Sequence, residues 1–323
     1  MPGPQWDVIG IGESSIDEVF RLPGVLGPNV KLRVSSKQIR YGGQVATTLA
    51  TCASFGLRAA LLGTTGDDDE VDGLRKTLND RGVDTSLLIR RPVPHRRAMV
   101  LVSEQTGDRA VLWERDARLA LTPDEIPRAT IEGVRLLHVD DVDVEAALVA
   151  ARIACQAGIP VTSDIDRITD RTGELIAAVT VPIFAEHVPR ALTGEADPER
   201  ALRMLRTTHS GLLCVTLGAR GSMLLDGNQL YRVPAPSVRV VDATGAGDVF
   251  RGAFICALLR GNSPVDILRF ANATAALSCT REGALDSVPT RREVEEFFKG
   301  KGQESKGKGQ ESKGKGQESK GKG

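Results

Sequence analysis

The stretch VVDATGAGDVFRGAF, residues 240–254, decides how the chain is interpreted. Its β-branched start predicts a strand that ends at Val241, its glycines predict a turn, and its apolar second half predicts a helix. Glycine lets a ligand approach the backbone closely, because no side chain stands in the way. The amides of Gly245, Ala246 and Gly247, at the positive end of the predicted helix, would form a cradle suited to phosphate.

Asp248 directly follows this cradle. A carboxylate at the start of a helix often only caps free amides, which contributes about 1 kcal/mol. Beside a phosphate-binding turn it can also accept the proton of an attacking hydroxyl. The motif alone leaves both interpretations open.

A second glycine-rich stretch is YGGQVATTLATCASFGL, residues 41–57. Gly42 and Gly43 precede a predicted helix of small residues. The pair indicates either a tight turn into a well-packed helix or a backbone that lies against a polar ligand. Taken alone, it favours the structural interpretation.

The third stretch is VIGIGESSIDEVF, residues 8–20. Gly10 and Gly12 after a predicted strand resemble the start of a dinucleotide fingerprint. Ser15 stands where the third glycine should be, and no acidic residue closes a second strand about 20 residues further on. We instead expect Asp17, just past the first strand, to point into a pocket and accept hydrogen bonds from hydroxyl groups.

The rest of the body alternates short apolar runs with amphipathic stretches. Strands are predicted at 8–12, 59–63, 136–139, 159–164, 181–185 and 212–218, and helices at 44–56, 69–81, 143–157 and 196–208. This alternation, with three more helical stretches after Asp242, predicts an α/β fold with a largely parallel sheet covered on both faces.

Two regions, 14–41 and 87–115, interrupt this alternation with segments of period two. We expect antiparallel strands added to one edge of the main sheet, forming a flap over a pocket. Trp113, Arg115 and Asp116 of this flap are candidate substrate contacts, although an exposed strand edge explains the two charges equally well.

Composition narrows the function further. The 323 residues allow one large or two modest domains. Aromatic residues make up 4% of the chain, which argues against a stacking surface for single-stranded nucleic acid. The net charge of zero combines +5 in residues 299–323 (eight Lys, three Glu) with about −5 in the body, which gives no electrostatic reason to expect a nucleic-acid partner.

No apolar run approaches the ~20 residues of a membrane span, and the protein is expected to be cytoplasmic.

The C-terminal end, 299–323, repeats KGKGQES with a seven-residue period and has no apolar residue. It is therefore predicted to be disordered. The five cysteines form no C-x-x-C pair and lie in apolar stretches, so buried free thiols are expected. The four histidines lack the spacing of metal ligands.

The order of the three glycine-rich motifs resembles the ribokinase or PfkB carbohydrate kinase family across residues 5–298. That family's two signatures are matched by Gly42 with Gly43 and by the D-x-T-G-A-G-D sequence from Asp242 to Asp248. The resemblance extends to a T-L-G-x-x-G segment at Thr216–Gly221 and to a late helix that contains Asn272.

The resemblance implies a ribokinase-like three-layer α/β/α sandwich with a small β lid, formed by residues 1–298. It implies an ATP-dependent kinase for a sugar, with ATP and Mg²⁺ as cofactors and a monovalent cation as a further candidate. It also implies that the lids of two subunits pair in a homodimer. The site residues that it implies are a catalytic base (Asp248), an anion hole (Gly245, Ala246, Gly247), substrate contacts (Asp17, Gly42, Gly43, Thr47) and nucleotide contacts (Thr216, Gly218, Gly221, Asn272).

Three positions depart from the family pattern. Thr47 stands where a sugar-binding Asn is usual, which leaves the acceptor open, and Ala243 replaces a Thr or Ser. Ala185 and Val188 occupy the positions of an Asn-x-x-Glu motif that orders the magnesium-bound water and phosphate. Alternatives are a kinase for a nucleoside or a hydroxymethyl heterocycle, a catalytically weak ligand-binding protein and, third, an NAD-dependent oxidoreductase.

Overall fold

The computed structural model describes residues 5–25, 27, 29–106 and 109–299. The strands are β1 (Val8–Ile11), β2 (Ser15–Leu22), β3 (Ser36–Gly42), β4 (Ala59–Thr65), β5 (Val83–Asp84), β6 (Leu88–Arg90), β7 (Arg97–Ser103), β8 (Arg109–Glu114), β9 (Leu136–Val139), β10 (Val161–Ile165), β11 (Val181–Phe184), β12 (Leu213–Thr216), β13 (Ser222–Asp226) and β14 (Gln229–Val233). The helices are α1 (Gln44–Ser54), α2 (Asp69–Asp80), α3 (Arg128–Ile131), α4 (Val144–Gln156), α5 (Thr172–Ala178), α6 (His187–Thr193), α7 (Pro198–Leu205), α8 (Ala246–Leu259) and α9 (Pro264–Ser278). Residues 291–299 are also helical.

The central sheet has the strand order β14-β13-β12-β11-β10-β9-β1-β4-β5, and β6 pairs with β4. Neighbouring strands pair in parallel except at β12-β13 and β13-β14, so β13 alone runs in the opposite direction among the strands of this sheet that the structure describes. All six predicted strands lie in it within two residues of their predicted bounds. They were recognisable because a parallel strand covered on both faces is apolar at nearly every position.

Helices cover both faces of this sheet, which confirms the predicted three-layer arrangement. One core cluster joins the sheet to α4, α5 and α7 on one face. Two others join it to α1, α8 and α9 on the opposite face. The two layers hold the carboxyl ends of the parallel strands at one edge, where open α/β sheets bind their ligands.

The regions of period two form a separate four-stranded sheet, in the order β3-β2-β7-β8. The prediction that they extend an edge of the main sheet is wrong, and β2 and β7 pair in parallel rather than antiparallel. The reason is the place of β1, which is paired on both sides, with β9 and with β4, so no open edge of the main sheet adjoins it. The chain that leaves β1 pairs with the other period-two segment instead.

The strand that was predicted to end at Val241 is absent. Residues 234–243 form no strand, and Val240 and Val241 are 60% and 55% exposed. Pro234 and Pro236 have no amide hydrogen to donate to a neighbouring strand, which ends the pairing at β14.

The cysteine prediction also needs one correction. All five cysteines are free, and three are buried (Cys52, Cys214 and Cys256). Cys155 is exposed because it lies on the outer face of α4, one turn after the exposed Arg152.

The tail, predicted to be disordered over 299–323, lies outside the described residues apart from Lys299. No helix in the described part of the chain is long and apolar enough to cross a membrane.

Candidate active site

The first turn of the site connects the end of β1 to the start of β2. Gly12 adopts φ +152°, and a Cβ there would lie 2.2 Å from a carboxylate oxygen of Asp140. The same carboxylate accepts a hydrogen bond of 2.7 Å from the Glu13 amide. Because β1 leads into a strand and not into a helix, no helix N-terminus follows the Gly10–Gly12 pair. The dinucleotide-binding alternative is therefore wrong.

A cavity of about 190 Å³ lies between the four-stranded sheet and the main sheet. It adjoins a wider cavity of about 670 Å³, with which it shares Asp17, Val100, Arg109, Thr244 and Ala284. We call the smaller one the acceptor cavity. Its lining is Glu13, Ser15, Asp17, Gly43, Gln44, Arg96, Ala98, Val100, Arg109, Val111, Thr244, Gly245, Asp248 and Ala284.

Asp17 follows the turn after β1 and lies within β2 of the four-stranded sheet, where it lines the acceptor cavity. It pairs in register with Arg40. Its Oδ1 lies 3.4 Å from Nη1 of Arg96, and Arg96 also contacts Glu13 at 2.8 Å. Burial raises the pKa of Asp17, and the charge of Arg96 opposes that rise. The geometry gives a carboxylate at the cavity wall that one guanidinium holds in place.

Gly42 is the last residue of β3, and Gly43 is the N-cap of α1. Together they bring the start of α1 against the turn between β1 and β2. Gly43 has φ +106°, and a Cβ there would lie 2.4 Å from the carbonyl oxygen of Glu13. Only glycine allows this approach. Thr47 lies on α1 behind the cavity wall, fully buried, and its hydroxyl has no hydrogen-bond partner among the described residues.

The turn before α8 separates two cavities. Gly245 has φ +76° and is the N-cap of α8, and a Cβ there would lie 2.8 Å from Cβ of Ala284. Gly245 and Asp248 line the acceptor cavity, whereas Ala246 and Gly247 line a second cavity on the other side. The backbone amide of Ala246 donates a hydrogen bond to the carbonyl of Ala243 at 3.3 Å.

Asp242 fixes the start of this turn. Its Oδ1 accepts hydrogen bonds from the amide and the hydroxyl of Thr244, at 2.8 and 2.6 Å. Its Oδ2 accepts from the amide of Gly283 at 2.9 Å. The first aspartate of the motif therefore has a structural role, because it ties the turn to the segment after α9.

Asp248 is the third residue of α8 and its side chain is 16% exposed, toward the acceptor cavity. The hydroxyl of Thr48 on α1 donates to its backbone carbonyl at 3.1 Å. Burial and then the nearby carboxylate of Asp164 raise the pKa of Asp248, while Arg251 opposes the rise. A carboxylate with a raised pKa at the wall of a cavity is suited to proton transfer.

The second cavity has a volume of about 460 Å³ and is walled by Thr216, Gly218, Gly221 and Asn272, among others. We call it the nucleotide cavity. The side-chain amide of Asn272 donates to the carbonyl of Val233 at 2.9 Å, so it fixes the end of β14. The other walls are mainly small or apolar: Ala219, Ala235, Pro236, Ser237, Val238, Val240, Ala243, Ala246, Gly247, Phe250, Ala275, Ala276 and Cys279.

Several residues of the acceptor cavity were not predicted from the sequence. Arg96 and Arg109 reach it from the four-stranded sheet, and Gln44 reaches it from the first position of α1. The signal was present in the period-two segments, since alternate residues of a strand share one face. Once that face is known, Arg109 and Val111 are expected on it together.

The three candidates near the end of β8 separate in the structure. Trp113 lies between the guanidinium groups of Arg96 and Arg167, at 5.9 and 5.2 Å from its ring centre. Arg115 instead contacts the carboxylate of Asp143 at 2.8 Å, and Asp116 caps a short 3₁₀ helix. None of the three lines the acceptor cavity, although Trp113 contacts Arg96, which does.

The positions of the missing Asn-x-x-Glu motif have apolar surroundings. Val188 is fully buried in the core, and Ala185 packs against the same cluster. Among the described residues, no group of three or more His, Cys, Asp or Glu could hold a metal ion. A Mg²⁺ ion fits this site only if ATP phosphates and water supply most of its ligands, as they often do.

Comparison with known proteins agrees with this geometry. A family model described as "pfkB family carbohydrate kinase" matches residues 7–291. The ribokinase of Haemophilus influenzae is 25% identical over 297 residues, which cover 90% of this chain and 97% of that protein. An ATP-dependent ribose-1-phosphate kinase of Halopiger xanaduensis is 29% identical over 292 residues, covering 90% and 97%. The crystal structure of a ribokinase from Thermotoga maritima has a TM-score of 0.80 and 28% identity, covering 91% of this chain and 99% of that one.

Proposed function

Since the chain belongs to the pfkB family of carbohydrate kinases, which are phosphotransferases with an alcohol group as acceptor, we propose that Asp248 is the general base with which it phosphorylates a hydroxyl of a sugar or sugar-like small molecule. One observation supports this assignment above the others. The Gly245–Gly247 turn stands between two cavities, and Asp248 faces the cavity on the acceptor side. A donor in one cavity and an acceptor in the other would meet at this turn.

ATP occupies the nucleotide cavity in this proposal, and its phosphates reach the Gly245–Gly247 turn. The first amides of a helix have no partner within the helix and lie at its positive end. The amides of Gly245, Ala246 and Gly247 stabilise the charge that develops on the transferred group. Ala246 must release the Ala243 carbonyl to take part. Mg²⁺ would neutralise the negative charge of the phosphates. The use of ATP as phosphate donor also agrees with the predicted cytoplasmic location.

The acceptor lies in the cavity beneath the four-stranded sheet. Asp17 accepts hydrogen bonds from its hydroxyl groups, and the backbone at Gly42 and Gly43 lies against it. Asp248 removes the proton from one hydroxyl as that oxygen bonds to the γ-phosphorus of ATP. The bond from the γ-phosphorus to the β-γ bridging oxygen breaks, and ADP leaves. The sheet acts as a lid that excludes water, which would compete as acceptor.

The test is the release of ADP from ATP in the presence of ketoses, aldoses, sugar acids and nucleosides, one at a time. Turnover that depends on a sugar or sugar acid, and that is lost in Asp248→Asn, is the expected result. Turnover with nucleosides alone would show that the acceptor is a nucleoside, while the proposed role of Asp248 would stand. ATP binding without turnover on any acceptor would contradict the proposal and favour a ligand-binding protein.

The edge of the lid supports a further part of the proposal, that two copies associate through it. All six residues of β8 are exposed, among them Val111 at 49% and Trp113 at 55%. A long unpaired edge strand with apolar side chains is a template for pairing with another strand. Sedimentation velocity at low micromolar protein concentrations should show a dimer. The substitution Ala110→Pro should shift the protein to the monomer. A monomer at every concentration would contradict this part.

A further inference from the structure

An arginine lies behind Asp248, one helical turn further along α8. Arg251 is 4% exposed, and its Nη2 forms an ion pair with Asp164 at the end of β10, which is 1% exposed. Its Nη1 lies 4.0 Å from Oδ1 of Asp248. Arg251 lines neither the acceptor cavity nor the nucleotide cavity. Burying such a charge is unfavourable unless it is paired, and an apolar replacement often stabilises a protein as well. Its presence beside the base therefore suggests a role in the reaction.

The surroundings of Asp248 explain why a cation is needed there. Burial and the carboxylates of Asp164, Asp166 and Asp140 all raise the pKa of Asp248, and Arg251 lowers it. The other charged groups that line the cavity are Glu13, Asp17, Arg96 and Arg109. The carboxylates around Asp248 favour its protonated form, which cannot act as a base.

The guanidinium of Arg251 is also fixed in position. A Cβ at Gly247 would lie 2.7 Å from its Nη1, so the group packs directly under the phosphate-binding turn. Asp164 holds it from the side of the sheet. The cation is thus held between the turn and β10, 4.0 Å from the carboxylate of Asp248.

We propose that Arg251, held by Asp164, is a positioning residue that keeps the carboxylate of Asp248 ionised and directed at the acceptor cavity. This rests on the proposed role of Asp248 as the general base. Arg251 acts through Asp248 and makes no contact with the reacting atoms.

The test compares pH profiles of kcat, measured with the acceptor that gives the highest turnover. A base must be ionised, so kcat rises with pH through its pKa. In Arg251→Gln the pKa of Asp248 should rise, which moves this acid limb upward by about one pH unit or more. Below the limb, kcat falls about tenfold for each unit. Above the limb, where Asp248 is ionised in both proteins, the loss of kcat should be smaller than below it and should reflect only the lost positioning. Arg251→Lys retains the charge and should lie closer to wild type.

Asp164 provides the matched variants, in case Arg251→Gln fails to fold. Asp164→Asn removes the neighbour that raises the pKa of Asp248 most, so the acid limb should move to lower pH. The double variant, Arg251→Gln with Asp164→Asn, does not leave the Asp164 carboxylate buried without its arginine. Its limb should lie at higher pH than that of Asp164→Asn alone. An unchanged limb in both comparisons would overturn the proposal.

A second measurement needs no acceptor. In protein labelled with ¹³C at the aspartate carboxyl carbons, the Asp248 resonance is identified by its loss in Asp248→Asn. Its titration midpoint should be higher in Arg251→Gln than in wild type, and an equal midpoint would overturn the proposal. Full activity in Asp248→Asn would instead refute the base assignment, so the two failures are distinguishable.

Discussion

At the residue scale, Asp17 links the lid to the acceptor. Its carboxylate lies in β2, contacts Arg96 and lines both cavities beneath the lid. Asp17→Ala should raise KM for the acceptor strongly and change KM for ATP little, because the nucleotide cavity lies beyond the Gly245–Gly247 turn. Loss of hydrogen bonds to a charged group typically costs about 1.5–3 kcal/mol, or roughly 10- to 150-fold. Steady-state kinetics with each substrate varied in turn measures both values.

Glu18 is the matched control for this prediction. It is the next residue of β2, so its side chain lies on the opposite face of the sheet, where it contacts Lys37 at 2.7 Å. Glu18→Ala should leave both KM values near those of wild type. If Asp17→Ala kept the acceptor KM and only lowered the melting temperature, Asp17 would have a structural role alone.

Single residues also show where sequence analysis stops. Asp248 and its glycine turn were identifiable because the motif is local. Arg251 was not identified, although one charge within the otherwise apolar residues 249–259 of α8 indicates a buried ion pair. Its partner, Asp164, lies 87 residues earlier in the chain, and only the packing of α8 on β10 brings them together.

At the element scale, local pattern predicted the strands and helices of the core but not the lid. Strands such as β1 and β4 consist largely of apolar residues, which indicates their burial directly, and both are buried at every position. The pairing of β2 with β7 joins segments about 80 residues apart, and no residue in either segment specifies that partner. The lid was therefore recognised as strands and placed wrongly.

Gly221 tests whether the hairpin of β13 and β14 shapes the nucleotide cavity. It has φ +93°, and a Cβ there would lie 2.1 Å from the carbonyl of Val233, the residue that Asn272 also contacts. Gly221→Ala should displace this wall, raise KM for ATP at least tenfold (about 1.4 kcal/mol) and leave KM for the acceptor nearly unchanged. Kinetics and calorimetric titration with ATP measure the effect.

Gly227, in the turn of the same hairpin, is the control. It also has a positive φ, +53°, but nothing lies within 4 Å of a Cβ added there. Gly227→Ala should cost only the strain of the left-handed backbone, about 1–2 kcal/mol of stability, with KM for ATP unchanged. Equal effects of the two variants on ATP would argue against a specific role for the wall at Gly221.

At the scale of the whole molecule, the prediction concerns the C-terminal repeat. The family match ends at residue 291, and the repeat has no apolar residue to pack against the body. Truncation after Phe298 should leave kcat, KM and the melting temperature unchanged. Truncation after Thr290 is the contrasting variant, because it removes Val294, 1% exposed in the core, and should lower the melting temperature. If truncation after Phe298 lowered the melting temperature by several degrees, the proposed domain boundary would be contradicted.

The central claim is that Asp248 removes the proton of the acceptor hydroxyl. The most direct measurement is phosphoryl transfer by Asp248→Asn beside calorimetric titration of the same protein with ATP. Loss of a general base typically lowers the rate 10²- to 10⁴-fold, and ATP affinity should stay close to that of wild type because Asp248 faces the other cavity. A variant that turns over within about threefold of wild type would contradict the account. The helix-cap interpretation would not replace it, because Gly245 is the N-cap of α8 and no side chain of the described residues caps this helix.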